Sequence, residues 1–144
     1  MEHGVTLTEI VQKMNLKNLT PNVELVGKEV NIPDVNRPAL QLAGFFEHFD
    51  SDRVQIIGYV EYTYLQTLTE ERKTEIYEKM LKRKVPCVVF SRSLPPEESF
   101  LRIAQERDVP VFSTEKKTSS FMSELIRWLN VKLAPCISIH GVLV

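Results

Sequence analysis

The sequence predicts an α/β domain with a mixed, largely parallel sheet flanked by helices. The first observation behind this expectation is alternation. Short apolar runs at Val54 to Ile57, Cys87 to Phe90 and Val109 to Phe112 are each followed by a stretch with helical patterning, which is the order a parallel sheet with crossover helices requires. The second is that the run at Cys87 to Phe90 is continuously apolar, as a strand covered on both faces must be. The third is size: 144 residues, 43% of them hydrophobic, suffice for one real core.

The elements follow in chain order. Thr6 and Glu9 form a capping box, and Leu7, Ile10, Val11 and Met14 recur at helical spacing, so a short helix is expected over Thr6 to Asn15. Val23 to Val26 and Val30 to Ile32 are β-prone runs on either side of Gly27-Lys28, which predicts a small hairpin. Pro33 and Pro38 bracket a structured loop, because proline disfavours helical geometry in the residue before it. Ala39 to Phe46 is then expected to make one or two helical turns, with Leu40, Leu42, Phe45 and Phe46 in the core.

A strand over Val54 to Ile57 ends at Gly58, and Thr69 to Lys84 is the clearest long helix, with Ile76, Met80 and Leu81 on one face. After the strand at Cys87 to Phe90, the prolines and acids of Ser93 to Glu98 suit a helix start. Ser119 to Leu133 reads as a helix whose Phe121, Leu125, Trp128 and Leu129 share a face. Ile137 to Val144 is strongly β-like and ends apolar, so residues 1–133 are expected to be one domain and 134–144 the start of a second.

The totals exclude several function classes. With 18 basic and 19 acidic residues the net charge is -1, so no bulk attraction to nucleic acid or an anionic membrane is expected. Only Cys87 and Cys136 are present, each in an apolar stretch, and both are expected to be inert buried thiols in a cytoplasmic protein. His3, His48 and His140 lie far apart, so no metal site is expected. The five glycines are too dispersed for a phosphate-binding loop or a dinucleotide turn. Ser91, Ser93, Ser119 and Ser120 have no histidine nearby, and the acidic pairs at Glu70-Glu71 and Glu97-Glu98 open predicted helices, where the dipole favours them.

The most unusual segment is Asp34-Val35-Asn36-Arg37-Pro38-Ala39-Leu40-Gln41-Leu42-Ala43-Gly44-Phe45-Phe46, continued by Arg53 to Gly58. Two readings apply to its arginines. In the first, Arg37 stabilises the loop by bonding backbone carbonyls or Asp34; in the second, Arg37 and Arg53 clamp an anionic ligand, since a guanidinium offers a planar fork matched to phosphate or carboxylate. The packed-loop reading is preferred.

This segment resembles the aspartate-x-x-arginine-proline-glycine-x-x-x-alanine-glycine-tyrosine-phenylalanine run of the HPr kinase/phosphorylase family, with Ala39 in place of glycine and Phe45 in place of tyrosine. Ile137 to Val144 resembles the segment by which family members enter their kinase domain. The resemblance implies the amino-terminal regulatory and assembly domain of a bifunctional, bacterial, hexameric enzyme of carbon catabolite repression. Such an enzyme phosphorylates and dephosphorylates a serine of the phosphocarrier HPr, using ATP or pyrophosphate with magnesium. It also implies a fold similar to the uridine-nucleotide-binding domain of Mur ligases. His140 matches a catalytic position of the family, one that functions only with the kinase domain; the piece by itself is expected to be inactive and to hold no cofactor. The alternative is a stand-alone small-ligand sensor similar to DRTGG domains.

Overall fold

The computed structural model describes residues 4–134. The segment expected to begin a second domain, including Cys136 and His140, lies outside the described residues apart from Ala134.

Seven strands and six helices follow one another along the described chain: β1 (Val5–Thr6), α1 (Leu7–Met14), β2 (Lys17–Asn18), β3 (Glu29–Val30), β4 (Val35–Asn36), α2 (Ala39–Leu42), β5 (Val54–Ile57), α3 (Tyr59–Leu65), α4 (Glu70–Leu81), β6 (Val88–Phe90), α5 (Glu98–Glu106), β7 (Val111–Ser113) and α6 (Thr118–Lys132). The main sheet has the order β2-β7-β6-β5-β4. β4 to β7 are parallel, and β2 closes one edge antiparallel to β7. The mixed, largely parallel sheet expected from the alternation is therefore present.

Side-chain alternation along the strands divides the molecule into three layers. Val54 and Ile56 of β5, Val89 of β6 and Phe112 of β7 face one core with Leu7, Ile10 and Met14 of α1 and Phe121, Leu125 and Leu129 of α6. Ile57, Val88, Phe90 and Val111 point the other way, into a core built with α2, α3, α4 and α5. From β4 onward the chain stays on one face through the crossovers up to β7 and changes to the other, where α1 already lies, after β7.

Local chemistry accounts for the ends of several elements. Glu9 Oε1 accepts from the Thr6 amide at 3.0 Å while Thr6 Oγ1 accepts from the Glu9 amide at 3.1 Å, so the capping box forms. Thr69 caps α4 by accepting from the Arg72 amide at 3.2 Å.

Four expectations are corrected. The hairpin around Gly27 does not form. Gly27 does take a positive φ of 83°, in a turn closed by the Lys28 amide on the Leu25 carbonyl, but β3 pairs antiparallel with β1, which buries Val5 against Val30. The loop between Pro33 and Pro38 contains β4, the parallel partner of β5 at the sheet edge. α2 is a single turn, within the expectation, but Leu40 and Phe45 are 63% and 45% exposed where the core was expected; only Leu42 is fully buried, with Phe46 packed against the same core. Helix α3 was not expected, because Tyr, Val and Thr are mediocre helix formers and masked its pattern. Trp128 is half-buried at the margin of its core.

Candidate functional site at the carboxyl edge of the sheet

In an open parallel sheet the loops leaving the carboxyl ends of the strands converge on one edge, and polar side chains placed there can meet. Arg37 follows β4, Gly58 follows β5, Ser91 follows β6 and Thr114 follows β7. Glu61, in the first turn of α3, reaches back to accept from the Gly58 amide at 2.8 Å and from Arg37 Nη2 at 2.8 Å. Its carboxylate is only 3% exposed, while Arg37 is 34% exposed. Glycine at 58 has a spatial cause: a Cβ there would lie 2.8 Å from Arg37 Nη2 and 2.5 Å from Thr118 Oγ1. Thr118 Oγ1 in turn lies 2.6 Å from Ser91 Oγ, and both hydroxyls are buried.

The two arginines singled out in the sequence are not brought together. β4 and β5 pair with Val35 opposite Val54 and Asn36 opposite Gln55, so Arg37 lies just past the carboxyl end of the pair and Arg53 just before its amino end. Arg53 Nη1 lies 3.3 Å from Asp34 and 3.8 Å from Asp50. The expected partner of Arg37 is likewise corrected. It is Glu61, neither Asp34 nor a backbone carbonyl, and the helix that carries Glu61 is not marked by the sequence pattern. A carboxylate three residues after a strand-ending glycine was the available signal.

A second buried polar group ties α4 to α5. Lys73 is 5% exposed and donates to Glu97 Oε2 at 2.8 Å and to Glu70 Oε2 at 3.3 Å, while Tyr77 Oη donates to Glu97 Oε1 at 2.8 Å. The hydrogen bond to Glu97 holds the Lys73 ammonium above its ordinary pKa, against the desolvation that would lower it. Burial acts to raise Glu97, but hydrogen bonds from Lys73 and Tyr77 outweigh it and keep the carboxyl below its ordinary value. Tyr77 is pushed up, first by burial and then by its bond to Glu97. Sequence reading assigned Glu97 to a helix start alone.

Beside the ends of β6 and β7 lies a groove of about 550 Å³. Its walls come from α1, β2, α5 and two loops distant along the chain, so no local pattern of residues marks it. Among the described residues, no group of three or more His, Cys, Asp or Glu side chains is arranged to hold a metal ion, and no helix is long and apolar enough to cross a membrane.

The architecture defines a three-layer α/β domain whose polar side chains gather at the carboxyl edge of a parallel sheet. Residues 5–129 match the family described as "HPr Serine kinase N terminus", and the chain belongs to that family. It is 55% identical over 142 residues to the HPr kinase/phosphorylase of Lachnoclostridium phytofermentans, covering 99% of this chain and 46% of that protein. It is 40% identical over 139 residues to the HPr kinase/phosphorylase of Caldicellulosiruptor bescii, covering 96% of this chain and 45% of that one. The chain thus spans less than half the length of these curated relatives. Among solved structures, the fold matches the CBS and DRTGG domains of the regulatory region of Clostridium perfringens pyrophosphatase, solved with the activator diadenosine tetraphosphate. The TM-score is 0.53 at 16% identity, covering 85% of this chain and 46% of that one, a likeness of fold alone.

Proposed function

We propose that this chain serves as the amino-terminal regulatory and assembly domain of an HPr kinase/phosphorylase, and that the phosphoryl transfer of such an enzyme is carried by a kinase domain outside the residues described. The observation that carries this reading is the 55% identity over 99% of the chain to a protein of that name, of which the chain spans only 46%. The chemistry agrees with it. Phosphoryl transfer depends on positioned amides, a lysine and a magnesium ligand, and no G-x-x-x-x-G-K-[ST] run occurs in the 144 residues.

On this reading the whole enzyme takes ATP or pyrophosphate with magnesium, acts on a serine of HPr, and assembles as a cytoplasmic hexamer. His140 contributes to transfer only beside the kinase domain. The test is phosphorylation of HPr by two proteins, the 144-residue chain alone and the same chain joined to the remaining part of the L. phytofermentans enzyme. The joined protein should phosphorylate HPr, the chain alone should not, and His140→Ala in the joined protein should lower the transfer rate far more than the melting temperature. Transfer by the chain alone would overturn the reading.

A further inference from the structure

The groove beside β6 and β7 lies where the topology of the sheet changes side. The connection leaving β6 runs into α5 on one face, whereas the connection leaving β7 runs into α6 on the other. Two adjacent loops that part to opposite faces leave a crevice between them, and in open α/β sheets such crevices take small ligands. The walls here include those two loops, Ser93 to Pro96 and Ser113 to Lys116, and the volume of about 550 Å³ falls within the roughly 300–1,000 Å³ of small-molecule sites.

The rim is held in place before any ligand arrives. Arg92 and Ser93 both adopt left-handed backbone, with φ of 57° and 55°, and donate their amides to the carbonyls of Lys116 at 2.9 Å and Thr114 at 2.8 Å. These bonds lock the β6 loop to the β7 loop.

The lining is divided by chemistry. Leu94 and Leu101 supply an apolar wall on the α5 side, and Ser93 and Thr114 also line the groove, with Thr114 Oγ1 accepting from the Lys116 amide at 3.2 Å. Lys17 is set opposite Ser113 by the pairing of β2 with β7, and it forms no ion pair among the described residues. Lys116, by contrast, is bound to Glu124 at 2.7 Å. Glu115 adds an acceptor for hydroxyl groups at the same rim.

We propose that this groove binds a nucleoside monophosphate, with the phosphate on Lys17, the sugar hydroxyls on Glu115 and the base against Leu94 and Leu101. An apolar wall and an ammonium with no ion-pair partner in one groove suit a ligand that has an apolar body and an anionic end, and neither inorganic phosphate nor a free nucleoside has both. The inference is independent of the kinase reading, because its test measures no phosphoryl transfer.

The test is titration of the 144-residue chain with AMP, UMP, adenosine and inorganic phosphate, followed by calorimetry and by amide chemical shifts. Saturable binding of a nucleoside monophosphate is expected, with shifts confined to residues around 15–17, 93–96 and 113–116. Adenosine and phosphate should each bind at least tenfold more weakly. Lys17→Glu should weaken binding at least tenfold without altering the circular dichroism spectrum, whereas Lys82→Glu, at the exposed C-terminus of α4, should not. The proposal is overturned if neither monophosphate binds, if the shifts fall elsewhere, or if Lys17→Glu binds as the unsubstituted chain does.

Discussion

Glu61 accepts two hydrogen bonds in a nearly water-free position, and among the described residues its charge is balanced by Arg37 alone. Removing one member of such a pair strands the other, and the partial exposure of Arg37 moderates the cost. Arg37→Ala should therefore destabilise the domain by about 1–3 kcal/mol in urea denaturation. Adding Glu61→Gln, which keeps the bond to the Gly58 amide without a buried charge, should recover part of that loss; no recovery would mean that Arg37 acts through packing alone. Gly58→Ala is limited by space, since its methyl would collide with Thr118 Oγ1, and overpacking of this kind costs about 1–3 kcal/mol. Thr118→Ala should then relieve Gly58→Ala, which a cycle of melting curves would detect.

At the scale of elements, α6 and the α4–α5 pair make separate predictions. Phe121 is fully buried and Trp128 only half-buried, although both lie on the same helical stripe. Phe121→Ala should cost about 3–5 kcal/mol, and Trp128→Ala should cost clearly less despite removing the larger ring. The reverse order in chemical denaturation would place Trp128 in the core after all. The Lys73, Glu97 and Tyr77 group gives the α4–α5 contact a pH dependence. Glu97 has a folded pKa below its unfolded value, so its contribution is complete above the ordinary carboxylate pKa of about 4.3 and is lost as pH falls through the folded value. Lys73 is raised, so its contribution is complete below about pH 10.4 and is lost as pH rises through the folded value. Melting temperature should therefore fall in acid, and Glu97→Gln should flatten the fall between about pH 5 and pH 2.

For the whole molecule, both cores share one sheet, so neither face can open without exposing the other. Cys87 lies just before β6 in the core beneath α1 and α6, with its thiol pushed up to about 12 by burial. Native Cys87 should resist alkylation, and mass-mapped labelling should follow the rate of global unfolding; fast labelling under native conditions would show that the sheet opens locally. The strands β5, β6 and β7 and the helices α1, α4, α5 and α6 were legible in the sequence, because their apolar residues repeat at a period that any burying partner would exploit. The partners were not. Gly27 reads as a hairpin turn in isolation, yet Val30 pairs with Val5, since a two-residue strand gains more by burying both valines than by closing locally. The Arg37–Glu61 bond, the separation of Arg37 from Arg53 and the groove at Lys17 all depend on strand order and on the face each crossover takes. Periodicity along a chain records whether a side chain is buried, which is a local property. Which distant side chain it meets is decided only when the whole sheet is assembled, because that choice minimises exposed apolar surface over every layer at once.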